Sequence, residues 1–459
     1  MEGEEYDIVI MGTGVTESIL SGIFSMEGKK ILTVDCNPYY GSDGASLNLT
    51  NLWKKFRQGE EVPKELGQNR DWNVDLIPKF VMAAGKLIRL IMKTEVYNYL
   101  SWKSVDGTFV YAPEVGGLLS SGKKKVLKVP STPSEALNSK LMTMFEKNRC
   151  KNFFSFVQKF DEKKKDTYPK EDPFNTKFAK FVDSFGLQEN TVDFIGHAVA
   201  LYTTEDFLAM PTIDVLRKIK LYMDSAGRFS DSPFIYPHYG LAGIPEGFAR
   251  KCAVNGGVFM LNVDIVDIEV DDKNNTNKVW GVYEGKKNFV TAKTIIASPE
   301  YLAKVGMKDR LQKVGTIVRC ICILDHPIPK AEKSGAVQII IPQKQSGRKN
   351  DIYIMMLGPT HSVCKKGFYL AIVSTILEGD NVDKDLKIAF DTIGDIKEKF
   401  VTKQDMYVPT NKDGQSGIWG TKTLDQTSHF ESSSEDVLNI YKKITGKEYD
   451  TYVKVLDEE

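Results

Sequence analysis

The turn Gly12-Thr13-Gly14-Val15-Thr16-Glu17 lies between a β-rich run, residues 6–11, and an apolar helical pattern, residues 15–26. A glycine turn that opens a helix is where a dinucleotide-binding protein cradles pyrophosphate, because free N–H groups and the helix dipole both favour an anion there. Gly12 and Gly14 supply two of the three fingerprint glycines, and the third position is Glu17. A carboxylate in the first turn answers the dipole itself and repels a diphosphate nearby. Asp35, 23 residues after Gly12, stands where a ribose-binding acid would. The spacing predicts a retained dinucleotide framework with a damaged ligand site, without FAD and with no cofactor.

Other chemistry finds little support. The five histidines (His197, His238, His326, His361, His429) show no HxxxH or HxxH spacing and none accompanies a cysteine pair, so metal catalysis is disfavoured. There is no GxSxG elbow. The six cysteines are scattered without CxxC pairing and read as buried, reduced thiols. Lys163-Lys164-Lys165 is flanked by Glu162 and Asp166, which makes it a solvated loop rather than a phosphate site.

The elements that must position the turn follow from the pattern. A strand at 31–34 closes a βαβ unit, and Gly28 ends its helix. Helical patterning is expected over 71–99, with Leu76, Phe80, Leu87, Leu90 and Ile91 in the core, then β structure at 107–111 and a solvated loop at 113–125. From 130 to 224 the spacing predicts consecutive amphipathic helices. Thr132-Pro133-Ser134-Glu135 reads as a capping box, and Leu137, Leu141, Met144 and Phe145 mark one face. Phe153, Phe156, Val157 and Phe160 mark the next helix, and Phe178, Phe181, Val182 and Phe185, stopped by Gly186, another; two more are expected at 191–202 and 212–223. Eleven of the 24 phenylalanines fall between 145 and 207, which suggests an inserted helical domain with room for an apolar guest. Strands are expected at 258–261, 279–282, 293–297, 316–324, 337–341, 352–356 and 368–375, covered by helices at 383–399 and 434–444.

Lys+Arg 61 balances Asp+Glu 61, so no global positive field exists to hold nucleic acid. With 42% hydrophobic and 27% charged residues the chain is expected to fold as a soluble globular protein. The acidic start, Met1 to Glu5, lacks the features of a secretory signal, and the last residues lack a prenylation cysteine. The apolar window 80–92 is too short to span a bilayer, so any membrane contact is expected to be peripheral.

Three longer segments are more specific. Asp35-Cys36-Asn37-Pro38-Tyr39-Tyr40-Gly41, Arg70-Asp71-Trp72-Asn73-Val74-Asp75-Leu76-Ile77-Pro78-Lys79-Phe80, and residues 236–250 resemble the Rab GDP dissociation inhibitors, cousins of the Rab escort proteins, in order and over essentially the whole chain. The resemblance implies an α/β, flavoprotein-like FAD/NAD(P)-binding fold with mixed sheets plus an inserted all-α domain, used without flavin. It implies a non-enzymatic, monomeric, cytoplasmic partner of GDP-bound geranylgeranylated Rab GTPases that slows GDP release and extracts them during transient membrane contact. The implied division is 1–125 with 226–445, a helical isoprenoid-binding insert at 126–225, and a tail at 446–459.

By the same resemblance Tyr40, Arg250 and Met260 match a Rab-binding platform, and Arg228 a mobile membrane-recycling loop. Two platform positions depart: Gly243 stands where Glu is common and Val258 where Thr is, with Glu246 a conceivable substitute in charge. Met142, Met144, Phe194 and Leu201 are candidate lining for the geranylgeranyl lipid, and the client's tail is expected to pass residues 100–109. An escort protein is the alternative within the class, although those chains are usually much longer. The alternative from another class is an FAD-dependent oxidoreductase.

Overall fold

The computed structural model describes residues 3–115, 123–131, 133–331 and 333–457. Two large sheets dominate these residues. The first runs in the order Val258–Met260, Ile31–Val34, Glu4–Met11, Lys286–Ala297, Thr276–Tyr283 and Asp264–Asp271, with Ile418–Gly420 also on Lys286–Ala297. Its four leading strands pair in parallel. Ile31–Val34 is buried throughout, as a strand covered on both faces must be. The second sheet runs Glu398–Pro409, Leu311–Leu324, Tyr369–Ile376, Ile352–Leu357, Ala336–Ile341, Gly107–Pro113 and Lys124–Lys128.

The βαβ unit has the expected bounds. Its helix, Val15–Met26, starts from Gly14, and Gly28 reverses the chain at φ +80°. That helix packs on a second one, Gly243–Val254. The close approach depends on Gly22, since a Cβ there would lie 2.8 Å from Cδ1 of Phe248. A side chain at this position would push the second helix outward.

The helical layer comprises Pro133–Asn138, Met144–Lys159, Phe178–Ser184, Glu189–Phe194, a wide turn at Ile195–Val199, and Thr212–Ser225. Phe153, Phe178 and Phe207 are fully buried, and Phe153, Phe181 and Phe185 touch edge to face or tilted. The phenylalanines are largely core. His197 ties the layer to the second sheet: Nδ1 lies 2.7 Å from Asp351 and Nε2 3.0 Å from Glu205. Burial alone would lower its pKa, yet the two carboxylates prevail and raise it to about 10. No helix among the described residues is long and apolar enough to cross a membrane.

Three expectations are corrected. The segment 71–99 is helical only at Lys86–Lys93, with a short turn at Val96–Tyr99; Val74 and Val81 belong to small strands paired with Leu47 and Ile235. The five core residues named there are buried all the same. Leu137, Leu141, Met144 and Phe145 do not form one face, because the chain leaves the helix after Asn138 and restarts at Met144, where the Thr143 hydroxyl caps Glu146 N–H. Only Leu141 of the four is buried. Helix 383–399 is shorter, Lys387–Ile393, because Gly394 turns at φ +86° and Glu398 opens an edge strand. The expected loop 113–125 and the capping Thr132 lie partly or wholly outside the described residues.

Candidate functional site: an acid-filled cradle beside a sheet edge

The cradle is shaped as the glycine turn requires, and its own side chains occupy it. Glu17 is buried, its Oε1 accepts from the Thr421 hydroxyl at 2.6 Å, and its Oε2 reaches back so far that a Cβ on Gly14 would be 2.5 Å away. Burial pushes the carboxyl up to about 7, against the Thr421 hydrogen bond. Asp35 is equally committed. Oδ2 accepts from Thr13 N–H at 2.9 Å, Thr13 Oγ1 at 2.6 Å and Ser42 Oγ at 2.6 Å, and Oδ1 from Asn37 N–H at 2.8 Å.

A pocket of about 470 Å³ remains beside this turn, lined by Glu17, Asp43, Glu300 and Asp405 with Lys403 and Lys422. Burial and the hydrogen bond to Asp43 push Glu300 up to about 9, so two carboxyls meet where a flavin's diphosphate needs donors. The residues present do not fit a flavin dinucleotide.

The platform candidates gather on the neighbouring sheet edge. Met260 pairs with Val34 at the end of the outermost parallel strand, and its carbonyl accepts from Asp35 N–H at 2.9 Å. Phe259, on the same strand, holds the Tyr40 ring at 5.9 Å between centroids. Tyr40 is half-buried; burial and then the charge of Glu246 raise its pKa. Arg250 follows Glu246 by one helical turn, is exposed, and lies over the Tyr99 ring at 4.8 Å. Val258 is exposed on the edge strand. Gly243 faces Leu100: a Cβ would approach Leu100 Cδ2 to 3.1 Å, so Leu100 fills space that a larger residue at 243 would need.

Two of the long sequence segments meet directly. Asp75 accepts from Tyr236 Oη and Ser46 Oγ, and from Leu241 N–H at 2.9 Å, while burial pushes its carboxyl up to about 6. Lys79 is fully buried, with Nζ 2.6 Å from Asp425 and 2.5 Å from Thr427 O. The Asp75 anchor fixes the chain that enters the Gly243–Val254 helix, and the Lys79 anchor ties residues 70–80 to residues 425–427.

The remaining candidates separate. Met142, Phe194 and Leu201 are buried in the large core, Leu201 with φ +59°, whereas Met144 is exposed. Arg228 is half-buried and donates to Leu456 O at 3.4 Å, which ties its loop to the C-terminal segment. Tyr99 beneath Arg250 and Leu100 against Gly243 had no signal in the sequence, since only the packing of helix Gly243–Val254 brings them together.

Comparison with known proteins accords with this arrangement. The chain is 44% identical over 448 residues to Rab GDP dissociation inhibitor beta of Canis lupus familiaris, covering 97% of this chain and 96% of the relative. It is 44% identical over 451 residues to guanosine nucleotide diphosphate dissociation inhibitor 2 of Arabidopsis thaliana, covering 98% and 97%. The crystal structure of Rab GDI from Plasmodium falciparum superposes with a TM-score of 0.92 at 45% identity, covering 98% of this chain and all of that one. An oxidoreductase from Methanosarcina mazei, at TM-score 0.58 and 13% identity over 95% of this chain and 100% of its own, shares the fold alone. The family model described as GDP dissociation inhibitor matches residues 1–454. With its cradle filled by acids and its sheet edge laid open, the chain belongs to the GDP dissociation inhibitor family.

Proposed function

We propose that this chain is a Rab GDP dissociation inhibitor: it binds GDP-bound, geranylgeranylated Rab GTPases, slows their loss of GDP, lifts them from membranes and holds them in the cytosol. It acts as a regulator, not an enzyme. One observation carries this reading. Tyr40, Met260 and the helix bearing Arg250 are assembled along one exposed sheet edge, beside a cradle that Glu17 and Asp35 have already closed. Aromatic, Arg and Met side chains on rigid elements are typical anchors of a protein interface. Full-length coverage of inhibitor relatives favours this reading over an escort protein.

The discontinuous unit 1–125 with 226–445 receives the GTPase through Tyr40, Arg250, Val258, Met260 and the space at Gly243. The insert 126–225 receives the lipid. Each buried methylene is worth about 0.8 kcal/mol, so an apolar site of that quality can compete with a bilayer. Met142, Phe194 and Leu201 are packed, and the insert must part around them to admit the chain. The client's tail runs past Leu100 to Phe109, and the Arg228 loop serves membrane recycling. The monomer suffices.

The test is GDP release from a prenylated Rab with and without the protein. Slowed release of GDP supports the proposal; an unchanged rate at saturating protein rejects it.

A further inference from the structure

Among the described residues, the large apolar side chain most open to solvent is Phe145, 83% exposed, followed by Met144 at 74%. Both occupy the first turn of helix Met144–Lys159. Leu137, 67% exposed, is drawn to the same turn because Lys147 Nζ donates to its carbonyl at 2.6 Å. Met144 and Phe145 are adjacent and uncovered, and Leu137 is tethered to their turn through Lys147; exposed apolar side chains concentrated in this way mark an interaction site.

The charge of the segment that carries these side chains points to the partner, although Glu189, 79% exposed, stands near the same helix end through the Gln188 N–H bond to Glu146. Residues 114–151 contain eight Lys or Arg and three Glu, a surplus of five in a chain whose total is zero. Each Glu is already committed: Glu114 to Lys125 and Lys140, Glu135 to Lys128, and Glu146, itself buried, to Arg149 at 3.5 Å. Lys140 and Arg149 keep 64% and 46% of their side chains exposed in spite of these pairs, and Lys151 is exposed one turn beyond Lys147. Apolar side chains at the centre and basic ones at the rim match a bilayer surface with anionic headgroups, where the rings enter the acyl boundary and the cations meet phosphate. We propose that Leu137, Met144 and Phe145, with the basic rim of Lys140, Lys147, Arg149 and Lys151, form a docking surface for anionic phospholipid membranes. The surface lies on the helical insert and, resting here on the client reading above, brings the lipid-receiving unit against the membrane from which the client is drawn.

The test uses the full chain without any GTPase, in flotation with phosphatidylcholine vesicles that contain or lack phosphatidylserine. The expected result is binding to the anionic vesicles only, weakened by salt, and reduced about tenfold in Met144→Ser/Phe145→Ser. Val314→Ser, which alters a 45% exposed apolar residue on another element, is expected to bind as the parent does. The double variant should melt close to the parent, because Met144 and Phe145 are mostly exposed, and Val314→Ser, which alters a strand residue less exposed than either, should melt no higher than the double variant. Parental binding by the double variant, salt-insensitive binding to phosphatidylcholine alone, or a shift from dimer to monomer in sedimentation would each overturn the proposal, the last by giving the patch to a second copy. Inhibition of GDP release is measured in parallel on a Rab. If the patch is wrong, the parent still inhibits release, whereas a wrong client reading leaves no inhibition in any variant.

Discussion

The guanidinium of Arg250 rests 4.8 Å from the centre of the Tyr99 ring, which holds an exposed cation in one place on the Gly243–Val254 helix. A side chain fixed before binding loses less entropy on complex formation, so this contact suits Arg250 to the anchor role proposed for it. Arg250→Ala is expected to weaken Rab·GDP binding about tenfold, the order of a modest hot spot. Thermal stability should stay within a degree or two, because the residue is exposed. Fluorescence titration alongside a melting curve checks both halves.

Glu17 carries the pH dependence of the cradle. Its carboxyl is raised from 4.5 to about 7 in the folded chain by burial, so the folded state holds the proton that the unfolded state has released between those values. Its stabilising contribution is therefore complete below about 4.5 and lost as pH rises through about 7. Glu17→Gln keeps an acceptor for Thr421 and removes the titration. The variant is expected to be more stable than the parent at pH 8 by about 1–3 kcal/mol, with the gap closing toward pH 5. Denaturant unfolding at the two pH values reads the difference.

Lys79 and Asp425 form an ion pair in which the lysine is wholly buried. Removing one partner strands the other charge. Asp425→Asn is expected to cost about 3–5 kcal/mol, while Lys79→Met/Asp425→Leu should recover much of that loss, since burying an apolar pair carries no desolvation penalty. A double-mutant cycle by chemical unfolding measures the coupling.

Gly22 sets the distance between the cradle helix and the platform helix. Gly22→Ala places a methyl group 2.8 Å from the Phe248 ring, and overpacking of this kind costs about 1–3 kcal/mol. The strain should also displace the helix carrying Arg250 and lower affinity for Rab·GDP. Phe248→Leu in the same chain is expected to restore both, which titration and melting together can establish.

Much of this geometry was legible locally. Residues 15–26 and 31–34 carry their pattern and their punctuation, Gly14 and Gly28, within a few positions, so helix and strand emerge with the expected bounds. Glu17 announced its effect through charge alone, and the structure adds that burial brings its proton affinity near neutrality. Segment 71–99 misled because a chain that crosses the core buries apolar residues whatever its period; Val81 pairs with Ile235, a partner no local window contains. Leu137, Met144 and Phe145 share helical spacing with a buried face, and only the break before Thr143 turns them outward. The seats of Tyr40 on Phe259 and Arg250 on Tyr99 arise from strand order and helix packing, so residue type alone could not reveal them.

In the proposed function one chain grips a GTPase by protein contact and removes its lipid from the bilayer. The direct measurement is extraction of prenylated Rab from liposomes by the purified protein, with the Rab loaded with either GDP or GTP. The GDP form is expected to appear in the soluble fraction as an equimolar complex while the GTP form stays on the vesicles. Retention of both forms on the vesicles, or equal release of both, would contradict that function.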